Sequence, residues 1–344
     1  MSKALERHAL AIDLGGTKCS AAVIDRRGRI VSTRTVPVDV SSSSGPLLQI
    51  VQLAKDLASG KRPAHAYVGA AIAVPGLVRR NGTVWAPNLP GWQKMPLAKR
   101  LMPALGITVH VESDRNAAVL GESWVGAAKG KTDAIVLMIG TGIGAGILSG
   151  GRIIRGAHEL SGCAGWFTVT RENVQAAERS GELESLAAGP AISRAAQQRL
   201  QSGEASSLAD LDVLKITARD VAAAARQGDA LAVDVFNRAG RFLGYAAANL
   251  ISLLDPEIIV LGGGMASVAD LYLKSLQSAM LERAQPIAAQ KVKIVVSKLA
   301  ETVNLLGCAR IVWNHAVNGP ALKPNKGTSL NRLEKHSRAR GKTR

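Results

Sequence analysis

Aromatic residues are scarce in this sequence, and cysteines and long apolar runs are equally sparse. Aromatics make up only 3% of the 344 residues, whereas hydrophobic residues as a whole make up 47%. A core of this size must therefore be aliphatic, as it is where parallel strands pack beneath Ala-rich helices. The three cysteines lie far apart and form no CxxC pair, which argues against a disulfide framework.

Long apolar segments are also missing. No uninterrupted apolar run reaches the roughly 18 residues that a membrane-spanning helix requires. The first residues lack the basic, apolar and small-residue pattern of a signal peptide. We therefore expect a cytoplasmic protein that makes no contact with a membrane.

Acidic residues are outnumbered, and the formal net charge is +17. Residues 319–344 contain eight Lys and Arg against one Glu, with many turn formers, and are predicted to be a disordered basic tail. Such a tail either binds acidic polymers nonspecifically through counterion release or only keeps the chain soluble. No DNA-reading motif precedes the first strand, so a specific nucleic-acid partner is not expected.

Glycine is abundant, and it marks two similar hairpins. Residues 8–25 and 133–148 each read as an apolar strand, a glycine-rich turn and a returning strand. The turns begin at Gly15 and Gly140, about 125 positions apart. Each half continues with further strands and helices, so we predict an α/β protein with an internal duplication.

The first turn reads Asp13-Leu14-Gly15-Gly16-Thr17-Lys18. Glycines let the backbone approach an anion and point successive amides at it, and Thr17 adds a hydroxyl donor. Asp13 at the strand end is suited to holding Mg²⁺ through water. The alternative is an ordinary hairpin turn with a surface aspartate.

The second turn contains Gly140, Thr141, Gly142 and Gly144, and fits the string G-x-G-x-x-A. A dinucleotide site would need a helix after that string, but here a strand follows. A third cluster, Gly262-Gly263-Gly264, follows a buried strand and precedes a predicted helix running to Met280. Because these glycines carry no side chains, the backbone there can form a flat slot for adenosine. Two phosphate turns and this slot together predict an ATP site.

The segments DLGGTK, PNLPGW, SDRNAAVLGE, IGTGIGAGI and NLISLLDPEIIVLGGG occur in this order. Together they resemble the ROK family (repressor, ORF, kinase), which includes bacterial glucokinases and N-acyl-hexosamine kinases. The resemblance covers residues 9–317. It implies a two-lobed actin-like (hexokinase-type) ATPase fold with duplicated mixed sheets, ATP and sugar in the cleft, and a homodimer. The expected lobes are residues 1–115 with 303–318, and residues 116–302.

The resemblance also assigns the acceptor site. Asp114 matches the general base that accepts the proton of the attacking sugar hydroxyl. The alternative role for Asp114 is to cap the helix that follows. Gly76 and Asn88 match substrate loops, where Asn88 either binds a hydroxyl or holds its own loop.

Other acceptor positions depart from the family pattern. Ser113 replaces an Asn, Cys163 replaces a sugar-binding Glu, and Trp166 replaces a His that also binds zinc. Trp166 either stacks on a sugar ring or fills the space that zinc organises. Glu184 matches the remaining sugar-binding Glu, with a solvated helix start as the alternative. No cysteine lies between residues 168 and 182, and Glu182 stands where the family has one, so we expect Mg²⁺ and no zinc.

These departures bear on the substrate. Each sugar hydrogen bond left unmade costs about 1–3 kcal/mol, so three lost ligands should weaken glucose binding strongly. We therefore predict an ATP-dependent kinase acting on a sugar or polyol other than plain glucose. The alternative is a regulator that binds ATP or a metabolite without catalysis.

Overall fold

The computed structural model describes residues 7–58, 67–171, 174 and 177–318. The chain forms two compact units. One comprises the described residues up to Gly121 together with residues 304–318, and the other comprises the described residues of Glu122–Val303. The predicted lobes, residues 1–115 with 303–318 and residues 116–302, stay a prediction. The predicted basic tail, residues 319–344, lies outside the described residues.

The strands and helices alternate along the chain in the manner of an α/β protein. The strands are β1 His8–Leu14, β2 Lys18–Ile24, β3 Ile30–Pro37, β4 Tyr67–Val74, β5 Leu77–Val78, β6 Val84–Trp85, β7 Val109–Ser113, β8 Ala134–Ile139, β9 Ile143–Ser149, β10 Arg152–Ile153, β11 Ile258–Gly262 and β12 Lys293–Val296. The α-helices are α1 Gly45–Ala58, α2 Leu97–Leu105, α3 Asp114–Val125, α4 Ala177–Ser180, α5 Glu182–Ala187, α6 Gly189–Gln201, α7 Ala218–Arg226, α8 Ala230–Leu254, α9 Leu273–Arg283, α10 Pro286–Lys291 and α11 Val303–Asn318.

Each unit contains a five-stranded mixed sheet, and the two sheets have the same topology. The first sheet has the order β3-β2-β1-β4-β7, and the second has the order β10-β9-β8-β11-β12. In both, the first three strands of the unit are antiparallel, and the last two are parallel to the first. This matching order confirms the predicted duplication of a mixed sheet.

The central strands are buried because helices cover both faces of a sheet of this kind. Strands β1, β4, β8 and β11 are built almost entirely from buried Ala, Ile, Val and Leu. In the second unit, α8 packs closely on α9 because its glycines carry no side chain. A Cβ on Gly240 would lie 2.6 Å from the carbonyl oxygen of Tyr272, and one on Gly244 would lie 2.4 Å from that of Leu276.

Strand register brings the predicted site residues to one edge of each sheet. Asp13 of β1 pairs with Ala73 of β4, and Val74 pairs with Ser113 of β7. The carboxyl ends of these three parallel strands therefore lie side by side. In the second unit, Gly262 at the end of β11 pairs with Met138 near the end of β8.

One predicted element differs from the structure. A single helix was expected from Gly264 to Met280, but residues Gly264–Leu271 form a 3₁₀ helix and α9 begins only at Leu273. Val268 interrupts the helical backbone with φ −122° and ψ 21°. β-branched residues and glycines favour the helix weakly, which explains the broken start. Within the described residues, no helix is long and apolar enough to cross a membrane.

Candidate functional site

The turn between β1 and β2 presents open backbone. The Gly15 amide donates to the Lys18 carbonyl oxygen at 2.9 Å, which closes the turn. Gly16, Thr17 and Lys18 are exposed, and a Cβ on Gly16 would meet nothing within 4 Å. An anion can therefore approach this backbone closely, as the first phosphate turn requires.

Asp13 lies at the end of β1 beside this turn, and Asn304 from α11 contacts it. The Asn304 Nδ2 donates to Asp13 Oδ1 at 3.2 Å. Asn304 is buried, and its own Oδ1 has no hydrogen-bond partner among the described residues. A carboxylate and an unpartnered amide oxygen are hard oxygen donors of the kind that Mg²⁺ prefers, so these residues fit the ion. Sequence reasoning missed Asn304.

Two cysteines flank the same aspartate without being suited to metal binding. Burial, with the charge of Asp13 in addition, raises the pKa of Cys19 to about 12. Burial likewise raises the pKa of Cys308, whose Sγ lies 3.3 Å from the Ile12 carbonyl oxygen. Both thiols stay protonated at neutral pH, and thiolates rather than thiols bind metals.

Asp114 is the first residue of α3, directly after β7. Its Oδ1 accepts a hydrogen bond from the Arg115 amide at 2.8 Å. Burial raises the pKa of Asp114 above its usual value, although the amide and charge of Arg115 oppose that rise. A raised pKa suits a general base working near neutral pH. The bond to Arg115 also serves the helix start, so this geometry is compatible with both interpretations of Asp114.

A buried polar cluster lies beneath Asp114. Glu112 Oε1 accepts hydrogen bonds from the Ser113 amide at 3.0 Å and from Asn116 Nδ2 at 2.9 Å. Ser113 is 3% exposed, and its Oγ has no hydrogen-bond partner within the described residues. The cluster fixes the junction between β7 and α3, and thereby the position of Asp114.

The predicted substrate loops of the first unit depend on glycine geometry and a buried tryptophan. Gly76 has φ +99°, and a Cβ there would lie 2.3 Å from the Trp85 carbonyl oxygen. The buried Trp92 anchors its loop by donating from Nε1 to the Ser43 carbonyl oxygen at 3.0 Å. Asn88 is exposed and lies in a turn, so binding a hydroxyl and holding the loop both stay predictions for it.

In the second unit, the two glycine clusters lie next to each other. Gly263 has φ +81°, and a Cβ there would lie 2.4 Å from the Ile139 carbonyl oxygen at the end of β8. A Cβ on Gly140 would lie 3.8 Å from the Gly264 amide nitrogen. The Gly189 amide, at the start of α6, donates to the Gly140 carbonyl oxygen at 2.9 Å. The N-terminus of α6 therefore lies at the second turn, a position that favours negative charge.

Glu184 of α5 contacts the second glycine turn. Its Oε2 accepts a hydrogen bond from the Ile143 amide at 2.8 Å, and a Cβ on Gly142 would lie 2.7 Å from the same oxygen. Burial raises the pKa of Glu184, although the amide bond opposes the rise. The alternative of a freely solvated glutamate is therefore wrong.

Cys163 and Trp166 lie in a loop that is held against β9. The Ala145 amide donates to the Gly162 carbonyl oxygen at 2.7 Å, and a Cβ on Gly162 would lie 1.8 Å from the Ala145 oxygen. Trp166 is 59% exposed, so it does not fill an interior space, and that alternative is wrong. Cys163 is partly exposed.

Glu182 connects the segment after Trp166 to α5. Its Oε1 accepts hydrogen bonds from the amides of Val169 at 2.5 Å and Thr170 at 2.8 Å. A carboxylate thus joins the two segments through hydrogen bonds, at the position that the family resemblance gives to a zinc cysteine. In the part of the chain that the structure describes, no three His, Cys, Asp or Glu residues group as a metal site. Sequence reasoning missed this role of Glu182.

Comparisons with known proteins agree with this architecture. The ROK family model matches residues 9–315. The glucokinase of Streptomyces coelicolor is 31% identical, over 87% of this chain and 96% of the relative. The structure of a ROK family glucokinase from Streptomyces griseus, in complex with glucose and AMPPNP, is 30% identical. It matches with a TM-score of 0.75, over 89% of this chain and 99% of that one.

A regulatory protein is also similar. The structure of a ROK family transcriptional regulator, a homologue of the E. coli MLC protein, is 27% identical with a TM-score of 0.82. The match covers 92% of this chain and 82% of the regulator. The chain has the actin-like ATPase fold of the ROK kinases, which confirms the predicted fold class.

Proposed function

Because this chain belongs to the ROK family, we propose that it is an ATP-dependent kinase for a hydroxyl group of a sugar or a sugar-like polyol. The observation that carries the proposal is the arrangement of residues at the carboxyl ends of the parallel strands in the first sheet. Asp114, whose pKa is raised, follows β7 there. Strand β7 pairs with β4, and β4 pairs with β1, which carries Asp13 and ends at the open glycine turn. Phosphoryl transfer needs mainly positioning, one proton acceptor and neutralisation of phosphate charge.

In the proposed reaction, the Asp114 carboxylate accepts the proton of the acceptor hydroxyl. The hydroxyl oxygen forms a bond to the γ-phosphorus as the bond from that phosphorus to the bridging oxygen of ADP breaks. Backbone amides of the first glycine turn hold phosphate oxygens in place. Exposed Thr17 and Lys18 supply a further donor and a positive charge at the first turn.

Magnesium is the ion proposed for this site. When bound with ATP, Mg²⁺ neutralises phosphate charge. Asp13 would hold it through water, and Asn304 keeps the Asp13 carboxylate in position by donating to Oδ1. Zinc has no place in the proposal, because the cysteines of the family zinc motif are replaced in this sequence.

The acceptor is proposed to differ from plain glucose, although the relatives include glucokinases. Asn88 and Glu184 are hydrogen-bonding groups that suit hydroxyls, and Gly76 belongs to the same proposed acceptor set. Ser113 and Cys163 replace larger polar ligands. Trp166 presents an exposed aromatic face, which favours stacking on the apolar side of a sugar ring.

The similarity to a transcriptional regulator favours a second candidate, a regulatory protein that binds ATP or a metabolite without transferring phosphate. The replaced sugar ligands are consistent with it. Asp114 with its raised pKa supports the kinase instead.

An ATP-consumption screen over sugars and polyols distinguishes the two candidates. We expect turnover with at least one acceptor, and a fall of about 10²–10⁴-fold in the Asp114→Asn variant because a general base is lost. Binding of AMPPNP should persist, and Asp210→Asn, at an exposed aspartate, should behave as wild type. Unchanged turnover in Asp114→Asn would refute the assignment. Acceptor binding without any turnover would favour the regulator.

The proposed assembly is a homodimer, as the family resemblance implies. Light scattering of the full chain after size-exclusion chromatography tests it. A mass of one chain at micromolar concentration would contradict the dimer without affecting the proposed chemistry.

A further inference from the structure

The first unit contains a cavity that lies away from the glycine turn. The turn at Gly15 and Gly16 connects β1 to β2, and the cavity lies at the other end of that hairpin, where β2 leads to β3. Its volume is about 590 Å³, within the range of small-molecule sites. The described residues that line it include Arg7, Asp25, Arg26, Arg27, Arg29 and Trp313.

The turn that carries three of these arginines is held rigidly. The buried carboxylate of Asp25 accepts hydrogen bonds from the amides of Arg27 and Arg29, both at 2.9 Å. Gly28 has φ +84° and donates to the Asp25 carbonyl oxygen at 3.1 Å. The arginine side chains are therefore presented from a fixed backbone, which reduces the ordering that binding requires.

The charges of the cavity are unbalanced. Arg29 is paired with Asp25, its Nε lying 3.1 Å from Oδ2. Arg7, Arg26 and Arg27 have no ion pair with any described residue. Guanidinium groups donate in a planar fork that matches the oxygens of a phosphate. Three arginines that form no ion pair with the described residues thus surround one cavity, and their charge complements a dianionic group.

Trp313 gives a second, independent indication of a ligand. It is 7% exposed, lines the same cavity, and its Nε1 has no hydrogen-bond partner among the described residues. A buried donor without a partner is unfavourable by about 1–3 kcal/mol, so a ligand oxygen that reaches Nε1 would stabilise the site. Its indole also offers an apolar face beside the basic groups.

We propose that this cavity binds a small phosphomonoester, of about the size of a sugar phosphate, at a site separate from the glycine turns. The arginines bind the phosphate, and Trp313 contacts the organic part. The cavity is partly open, but its volume suits a single small molecule, whereas a polyanion would require a longer basic stripe. The proposal does not depend on the proposed kinase activity, since it concerns equilibrium binding alone.

The test is calorimetric titration of the full chain with glucose 6-phosphate and, separately, with inorganic phosphate. We expect the Arg26→Gln/Arg27→Gln variant to bind both probes about tenfold or more weakly, because charge-assisted hydrogen bonds are lost. Lys291→Gln/Lys293→Gln removes two exposed positive charges elsewhere and should bind as wild type. Tighter binding of glucose 6-phosphate than of phosphate supports a phosphomonoester; equal binding overturns the role given to the organic part.

Tryptophan fluorescence gives the second measurement. Glucose 6-phosphate should change the tryptophan emission of the wild type, and Trp313→Phe should abolish that change. Asp13→Asn, beside the glycine turn, should keep the affinity. Unchanged affinity in the double arginine variant, or loss of binding in Asp13→Asn, would overturn the proposal. A competition experiment gives one more outcome. If single-stranded DNA or polyphosphate displaced glucose 6-phosphate at a lower concentration, counted in phosphate groups, than inorganic phosphate does, the proposal would also be overturned.

Discussion

At the scale of single residues, the carboxylates of this chain occupy contrasting environments. Burial raises the pKa of Asp114 and of Glu184, so these groups hold their charge at an energetic cost. Asp25 is also buried, but the amides of Arg29 and Arg27 and the Arg29 guanidinium outweigh burial and lower its pKa. The raised pKa of Asp114 suits proton transfer, whereas the lowered pKa of Asp25 reflects the hydrogen bonds by which it holds its turn.

The raised pKa of Asp114 predicts the pH dependence of catalysis. Only the carboxylate accepts a proton, so kcat/KM should fall as the pH falls through a value above that of an ordinary aspartate. The pH profile of kcat/KM, measured with the best acceptor, checks this. An activity that stays constant down to the usual pKa of aspartate would contradict it.

The same shift predicts the effect of Asp114→Asn on stability. Because the folded pKa is raised, the folded state binds the proton more readily than the unfolded state, and stability from this group declines as the pH rises through that pKa. The neutral amide avoids this cost. Tm of Asp114→Asn at neutral pH should therefore exceed that of wild type, and the difference should shrink in acid. A lower Tm at neutral pH would argue against a desolvated carboxylate.

Glu182 gives a prediction about the loop that carries Trp166. Glu182→Ala leaves the Val169 and Thr170 amides without their acceptor, which should destabilise the fold by about 1–3 kcal/mol. The matched control is Glu178→Ala, at an exposed glutamate, which should change the free energy of unfolding little. Urea denaturation measures both. Equal stability of the two variants would show that Glu182 does not hold the loop.

At the scale of elements, the two glycine hairpins have the same topology but different surroundings. The turn between β1 and β2 is open at Gly16, whereas the turn between β8 and β9 lies against Glu184 at Gly142. The same substitution should therefore act differently in each hairpin.

Alanine at the two positions tests this difference. Gly142→Ala places a Cβ 2.7 Å from Glu184 Oε2, so we expect the Glu184–Ile143 bond to break and Tm to fall. Gly16→Ala meets no atom within 4 Å and should leave Tm near that of wild type, while raising the KM for ATP by restricting the approach of phosphate. A higher stability cost at Gly16 than at Gly142 would contradict these surroundings.

At the scale of the whole molecule, the net charge of +17 and the pI of about 10.2 dominate the long-range field. Residues 319–344 carry +7 of that charge, and the rest is spread over the chain. A field of this kind attracts polyanions without selecting among them.

Deleting residues 319–344 should weaken polyanion binding without changing catalysis. Elution from heparin should shift to lower salt because fewer counterions are released, while kcat and the KM for ATP should stay within about twofold of wild type. Salt-gradient chromatography and steady-state kinetics measure the two effects. An unchanged elution point would exclude the tail as the cause of polyanion binding.

Much of the fold was predictable because its signals are local. Apolar strands, glycine turns and the helix after Ser113 are each specified by neighbouring residues, and repetition of the strand–turn–strand pattern predicted the duplicated sheets. The broken start of α9 was not predicted, since Val268 changes the backbone in a segment whose composition still resembles a helix.

The sequence alone determined three features of the site. These are the glycine turn at Gly15–Gly16, the position of Asp114 after a strand, and the absence of the zinc cysteines. Only the tertiary structure decided which distant groups meet. Asn304 contacts Asp13 across 291 positions, Glu184 takes the Ile143 amide, and Trp313 joins the arginines of the β2–β3 turn. Such contacts depend on how strands and helices pack, and no local pattern encodes that packing.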